Sequence, residues 1–367
     1  MSLLNDDYYM DRALELARKG MGRTSPNPVV GAVIVNHGEI VGEGYHKKAG
    51  TLHAEIHALN VAKLKARGSK MYVTLEPCSH YGRTPPCTEA IIRAGVKEVI
   101  VATLDPNPQV AGRGIKFLQE AGIKTSVGIK GEEAKRQNEV FFKYITRKTP
   151  FICMKYAMTL DGKIATYSGD AKWISNAKSR NYVHQLRDIY DAILVGIGTI
   201  IADNPTLNTR LEKEDVKDPI RIIIDGKLEL PFESNIVQTS KLQKTIIFTA
   251  EGYEQEKAAN LMQAGIEIIP IAGEADKLDL NEVVDRLGDM GITSILVEGG
   301  AQINASFLEN KLADKILSFI APKIVGGKAP SPVTGQGIKL MRDAYEFKLI
   351  EVEQFGNDTL IKAYTGW

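Results

Sequence analysis

Apolar positions recur with a helical period in some stretches and alternate with polar ones in others. Residues 10–19 carry apolar side chains at helical spacing, with acidic residues ahead and Gly20 behind, which predicts a helix stopped by glycine. Residues 29–35 and 39–44 flank Asn36-His37-Gly38 and read as a hairpin. Helices are predicted over 53–66, 88–94, 114–121 and 132–144, and strands over 71–75, 99–102 and 124–127. That order predicts one mixed sheet with helices on both faces.

Thr146-Arg147-Lys148-Thr149-Pro150 is a polar break ending in proline, and a new apolar strand opens at Phe151. A boundary after residue 148 therefore divides the chain into domains 1–148 and 149–367. The second stretch alternates again. Strands are predicted over 151–158, 192–195, 220–225, 245–249, 266–270, 294–297 and 315–320, helices over 253–264, 280–287 and 302–310, and a closing hairpin over 347–353 and 359–364. Both domains read as α/β.

Composition narrows the function classes. With 44% hydrophobic and 25% charged residues, the chain can build a sizeable core. No apolar run is long enough for a membrane span, and the acidic start lacks the basic and apolar regions of a signal peptide. Three cysteines exclude a disulfide scaffold and suit a reducing cytoplasm. The net charge of +1 hides an asymmetry: residues 1–148 hold 22 Lys+Arg and 15 Asp+Glu, whereas residues 149–367 hold 24 and 30. A basic first domain favours an anionic ligand, a phosphorylated small molecule or a nucleic acid, unless the charge serves solubility alone.

Candidate chemistry concentrates in that basic half. His53-Ala54-Glu55, Glu76-Pro77-Cys78 and Pro86-Cys87 stand in order. His53, Cys78 and Cys87 would supply three metal ligands and leave a fourth tetrahedral position open, as in catalytic zinc sites. Glu55, two residues from a ligand, is placed to shuttle a proton between water and a leaving amine. His-x-Glu followed by Pro-Cys and a second Cys is the zinc nucleobase-deaminase signature, but eight residues separate the cysteines here where two are usual. His57 is four residues from His53; the protease-type pair needs Glu directly after the first His, and Ala54 is there. Cys153 lies in a predicted strand and reads as core.

The second domain is quieter. Gly196-Ile197-Gly198 is too short for a dinucleotide fingerprint. Val297-Glu298-Gly299-Gly300-Ala301 joins a strand to a helix, where the glycines either admit a ligand to the helix N-terminus or simply relieve a tight turn.

The stretches Thr24-Ser25-Pro26-Asn27-Pro28-Val29-Val30-Gly31, His53-Ala54-Glu55 and Glu76-Pro77-Cys78-Ser79-His80-Tyr81-Gly82-Arg83-Thr84-Pro85-Pro86-Cys87 resemble the bifunctional riboflavin-biosynthesis deaminase–reductases. The insert Ser-His-Tyr-Gly-Arg-Thr-Pro-Pro accounts for the long cysteine spacing. Met158-Thr159-Leu160-Asp161-Gly162-Lys163, Trp173-Ile174-Ser175, Ala202-Asp203-Asn204-Pro205 and Val297-Glu298-Gly299-Gly300 resemble the reductase part of that family.

The resemblance implies a cytidine-deaminase-like three-layer α/β/α domain followed by a dihydrofolate-reductase-like α/β domain. It implies one zinc per chain on His53, Cys78 and Cys87, with Glu55 catalytic, and NADPH as second cofactor. The activities would be hydrolytic deamination of 2,5-diamino-6-(ribosylamino)pyrimidin-4-one 5′-phosphate and reduction of the ribosyl product to ribityl. Matching positions would place the dinucleotide along Ala157, Trp173, Thr199, Asp203, Gly226, Gly300, Ala301, Gln302, Ile303, Asn304, Ala305 and Ser306. The phosphorylated pyrimidine would meet Asn27, Lys155, Ala171, Arg187, Leu207, Arg210 and Glu298; Ala171 stands where the family usually has Ser. A homo-oligomer in the cytoplasm is expected, without nucleic-acid or membrane partners. A nucleic-acid deaminase with an appended domain is disfavoured by the long cysteine insert and by the lack of an aromatic-rich basic segment. Retention of Lys155, Asp203 and Glu298 together speaks against a mere nucleotide sensor.

Overall fold

The computed structural model describes residues 5–81, 85–107, 110–275 and 277–366; Gly82, Arg83 and Thr84 of the cysteine insert lie outside them. The chain divides into two compact units, Met1–Lys148 and Thr149–Trp367.

The first unit runs α1 (Asp6–Arg18), β1 (Gly31–Asn36), β2 (Glu39–Tyr45), α2 (Ala54–Ala62), β3 (Lys70–Val73), α3 (Cys87–Arg93), β4 (Glu98–Val101), α4 (Arg113–Glu120), β5 (Lys124–Val127), α5 (Gly131–Gln137) and α6 (Glu139–Arg147). Its sheet has the order β2-β1-β3-β4-β5. β1 pairs antiparallel with β2 and β3, while β3, β4 and β5 run parallel. Alternate strand residues point to opposite faces. Ala32, Ile34, Met71, Val73, Val99 and Val101 pack against Ala54, Ala58, Ile91 and Leu118 of α2, α3 and α4. Val33, Val35, Tyr72 and Ile100 pack against Tyr9, Met10, Ala13 and Leu14 of α1 and Ala134 of α5. The result is three layers with the sheet in the middle.

Two predicted helices are altered. The one expected over 53–66 leaves the α conformation after Ala62, where Lys63 takes φ 49°, and closes as a tighter turn over Lys63–Ala66. The one expected over 132–144 is broken at Asn138. Asn138 takes φ −110° there, while its side-chain amide is bound to Val29, accepting its N–H at 2.8 Å and donating to its carbonyl at 3.0 Å; the backbone bonds from the Asn138 N–H to Ala134 and from the Phe142 N–H to Asn138 persist across the break.

The second unit runs β6 (Phe151–Thr159), α7 (Ala177–Ile189), β7 (Ala192–Gly196), α8 (Ile197–Asp203), β8 (Ile220–Ile224), α9 (Asn235–Gln238), β9 (Thr245–Ala250), α10 (Gln255–Gln263), β10 (Ile266–Ile271), β11 (Gly273–Glu274), β12 (Lys277–Leu278), α11 (Leu280–Asp289), β13 (Ser294–Val297), α12 (Ala301–Glu309), β14 (Lys315–Ala321), β15 (Phe347–Phe355) and β16 (Asp358–Thr365). The large sheet has the order β10-β9-β8-β7-β13-β6-β14-β16-β15. It is parallel from β10 to β14, and the β15–β16 hairpin closes one edge antiparallel. Central strands such as Ala192–Gly196 are buried throughout, as helices on both faces require. Leu194, Ile222, Ile246, Ile295 and Val297 meet α11 and α12 on one face, and Ile193, Val195, Ile223 and Ile247 meet Ile200, Ile236 and Leu261 on the other. Helices α7, α8 and α9 were not among the predicted elements. No helix among the described residues is long and apolar enough to cross a membrane.

Candidate active sites

In the first unit, two helix beginnings meet. His53 precedes α2 in extended conformation, and Glu55 lies in the first turn with 3% of its surface exposed. Helix α2 lies close on β2 because position 44 is glycine: a Cβ there would fall 2.5 Å from the Ala54 carbonyl oxygen and 2.5 Å from the His57 Cβ. Cys87 opens α3 behind Pro86. Its N–H donates to the Cys78 sulfur at 3.3 Å, while the Thr88 N–H and hydroxyl donate to the Cys78 carbonyl at 3.3 and 3.2 Å. His53 Nδ1 sits 3.2 Å from Cys87 Sγ and 3.6 Å from Cys78 Sγ. The three ligand atoms lie within 4.8 Å of one another. One imidazole nitrogen and two sulfurs converging this closely, with an acid alongside, fit a zinc ion.

The electrostatics divide the two thiols. The Cys78 thiol is pulled down to about 4, first by the hydrogen bond from Cys87 and then by His53, against the effect of burial. Cys87 is pushed up, because it is the partner that keeps the proton in this sulfur pair. Glu55 is raised to about 7 by burial, with the charge on Cys78 adding to it. His46 closes the stretch Gly42-Glu43-Gly44-Tyr45-His46, which also resembles the family, but the sequence assigns it no role. It is buried, its Nδ1 lies 3.1 Å from the Leu52 carbonyl, and its Nε2 lies 3.2 Å from the Asn27 amide nitrogen. The Leu52 carbonyl can only accept, so Nδ1 carries the proton and Nε2 receives the Asn27 N–H. The His46 ring stands edge-on to His53 at 5.4 Å.

In the second unit, β6, β13 and α7 bring three charges together. Arg187 Nε and Nη2 donate to Glu298 Oε1 and Oε2 at 2.8 and 3.2 Å, and Lys155 Nζ lies 3.6 Å from Oε2. Burial alone would raise the Glu298 carboxyl; Arg187 and Lys155 outweigh it and hold it at about 2. Lys155 is lowered by burial, with Glu298 opposing. His184, also missed in the sequence, accepts the Arg210 backbone N–H at Nδ1. It is held near 4 by burial, with Arg187 and Arg210 adding to the effect.

The expected dinucleotide positions fall into separate groups. Thr199 on α8 approaches Gly300, where a Cβ would sit 3.4 Å from its hydroxyl, and Gly196 and Gly299 both abut Ile303. These residues cluster at the carboxyl ends of the adjacent strands β7 and β13. Within the α12 run, Ala301 and Gln302 form the first turn; Asn304 and Ala305 are buried, and Asn304 donates to the Pro332 carbonyl. Ser306 donates back to Gln302. Gly226 follows β8 and its carbonyl accepts from Ala250 and Thr249. Trp173 is 61% exposed, with the Arg180 guanidinium 4.5 Å over its ring. Ala157 lies on β6, Asp203 ends α8, and Leu207 is buried with φ 54°. Ala171 is half-buried and Arg210 exposed.

These two units define a class of protein: a zinc deaminase joined to a reductase. The model of the cytidine and deoxycytidylate deaminase zinc-binding region matches residues 4–103, and that of the RibD C-terminal domain matches residues 150–361. The riboflavin biosynthesis protein RibD of Aquifex aeolicus is 45% identical over 97% of this chain and 97% of its own length; that of Actinobacillus pleuropneumoniae is 44% identical over 98% and 95%. Among solved structures, Acinetobacter baumannii RibD superposes with a TM-score of 0.87 at 37% identity, covering 99% of both chains. A Thermotoga maritima diaminohydroxyphosphoribosylaminopyrimidine deaminase/5-amino-6-(5-phosphoribosylamino)uracil reductase superposes at 0.85, with 38% identity and 98% of both chains covered. The chain belongs to the RibD family of bifunctional riboflavin-biosynthesis deaminase–reductases. Its first domain is cytidine-deaminase-like, its second dihydrofolate-reductase-like, and its cofactors are zinc and NADPH.

Proposed function

We propose that the chain deaminates 2,5-diamino-6-(ribosylamino)pyrimidin-4-one 5′-phosphate in its first unit. Its second unit then reduces 5-amino-6-(5-phosphoribosylamino)uracil to 5-amino-6-(5-phosphoribitylamino)uracil. The observation that carries this is the convergence of His53, Cys78 and Cys87 beside the buried Glu55, in a chain similar along its whole length to enzymes with these activities. His53, Cys78 and Cys87 hold the zinc. When bound, the metal supplies Lewis acidity that makes a nucleophile of water near neutral pH. Glu55 takes the proton of the attacking water and returns it to the departing amine, and its burial keeps bulk water from competing for that proton. Asn27, braced by His46, meets the substrate.

In the second unit NADPH supplies a hydride. The cluster of Gly196, Thr199, Gly300 and Ile303 receives the dinucleotide, and Ala157, Trp173, Asp203, Gly226 and the α12 run are its further expected contacts. Lys155 and Glu298 orient the ribosyl group, Arg187 fixes Glu298, and Arg210 reaches the phosphate from beside Leu207. The enzyme works in the cytoplasm as a homo-oligomer; exposed Ile350 and Val352 on the edge strand β15 support assembly. The test is a coupled assay with the diaminopyrimidine phosphate and NADPH. Ammonia release followed by loss of nicotinamide absorbance is the expected result, and absence of ammonia release overturns the proposal.

A further inference from the structure

Glu76 lies two residues before Cys78 and is 4% exposed. Its side chain accepts four backbone hydrogen bonds. Oε1 takes the N–H groups of Gly114 and Ile115 at 2.8 and 3.3 Å, and Oε2 takes those of Gly112 and Asp105 at 2.9 and 3.2 Å. Gly112, Gly114 and Ile115 are the N-cap and the second and third residues of α4, whose own N-cap has no side chain for the task. A carboxylate from a distant turn therefore caps the helix, where its charge is favoured by the helix dipole. The backbone joins in. The Glu76 N–H donates to the Thr103 carbonyl at 3.0 Å, and the Pro77 carbonyl oxygen lies so close to Gly114 that a Cβ there would come within 2.2 Å.

The turn that carries Cys78 is thus fastened on both sides: to α3 through Thr88 and Cys87, and to Asp105 and the start of α4 through Glu76. Asp105 lies in the same surroundings, its carboxyl raised first by burial and sensing Glu76, His80 and Cys78 as electrostatic neighbours. We infer that Glu76 is a positioning residue for deamination, its two-oxygen clamp fixing the Cys78 turn and the Asp105 segment relative to each other. This rests on the zinc-deaminase reading of the first unit.

Glu76→Gln tests it with little change of volume. A glutamine has one accepting oxygen, and its NH2 group would face backbone N–H donors that have nowhere else to point. The protein is assayed zinc-loaded, well below its unfolding temperature, for deamination and for reduction of the pre-deaminated substrate. A positioning role predicts deaminase kcat/KM lower by about 10–100-fold, mainly in kcat, with zinc content and reductase constants retained. Glu76→Asp, which keeps the carboxylate one methylene short, should recover part of the loss. A lowered unfolding temperature with unchanged deaminase constants would mean a purely structural clamp and overturn the inference. If Glu76→Gln does not yield zinc-loaded protein, Glu76→Asp decides, and wild-type kcat and KM in that variant overturn it. Wild-type protein without deaminase activity would instead condemn the underlying reading of the site.

Discussion

Arg187 and Glu298 meet as a two-point fork, Nε to Oε1 at 2.8 Å and Nη2 to Oε2 at 3.2 Å, and the remaining guanidinium nitrogen donates to the Asn208 carbonyl. Both side chains are about nine-tenths buried, with 12% and 11% exposed. Arg187 is therefore committed first to Glu298, and with Lys155 Nζ 3.6 Å from the same Oε2 the site holds two cations around one anion. Replacing Glu298 leaves both cations buried without it, which is far costlier than losing a surface pair.

Glu298→Gln should destabilise the second unit by about 3 kcal/mol at pH 7. The sign of its pH dependence follows from the direction of the shift. The carboxyl is lowered to about 2 in the folded chain. Its contribution is therefore complete above the unfolded carboxyl range near about 4.3 and is lost as pH falls toward the folded value. Urea unfolding from pH 7 to pH 2 should show the gap between wild type and variant closing only below about pH 4.5. A constant gap would mean that Glu298 acts through shape rather than charge.

Cys78→Ala should lose zinc. Wild-type protein should carry one zinc per chain by elemental analysis, and the variant little, since one of three converging donors is gone and the Cys87 N–H loses its sulfur acceptor. Full stoichiometry in the variant would remove Cys78 from the ligand set.

Glu55→Gln should keep both zinc and fold, because Glu55 is not among the three converging donors. Deamination should fall by on the order of 10²–10⁴, the usual worth of a positioned proton carrier. Reduction of the pre-deaminated substrate should continue at the wild-type rate. If it too is lost, the two activities do not belong to separate sites.

The parts legible in the sequence were those whose cause is local. His53, Glu55, Cys78 and Cys87 announce themselves by spacing, and strands such as Ala192–Gly196 by continuous apolar character. Helix α7 escaped because its first turns, Lys178 to Asn181, are polar and its start is held from far away: the Asn176 N–H and the Ser179 hydroxyl donate to Asp358 at 2.7 and 2.6 Å. Glu76 and His184 escaped for the same reason. The partners that give them a role, Gly112–Ile115 and Arg210, are supplied by the fold and leave no periodicity in the chain.

Arg210 contrasts with Arg187. Its backbone is anchored by His184 while its side chain stays exposed, which suits a group that meets its partner only when substrate arrives. The low pKa of His184, near 4, keeps the ring neutral and able to accept that N–H at physiological pH. Arg210→Ala should weaken the reductase step on phosphorylated substrate by roughly 1.5–3 kcal/mol, about 10–150-fold in kcat/KM, the range for one charge-assisted pair. Deamination should be untouched. On a dephosphorylated analogue the loss should be much smaller, because there is no anion to miss. A solvated surface arginine would instead cost under about 0.5 kcal/mol with either substrate. Measuring kcat/KM for wild type and variant on both substrates separates the cases. Equal large losses on the two would mean that Arg210 supports the loop or the cofactor rather than the phosphate, and it would then fall to another cation of the second unit to hold that group.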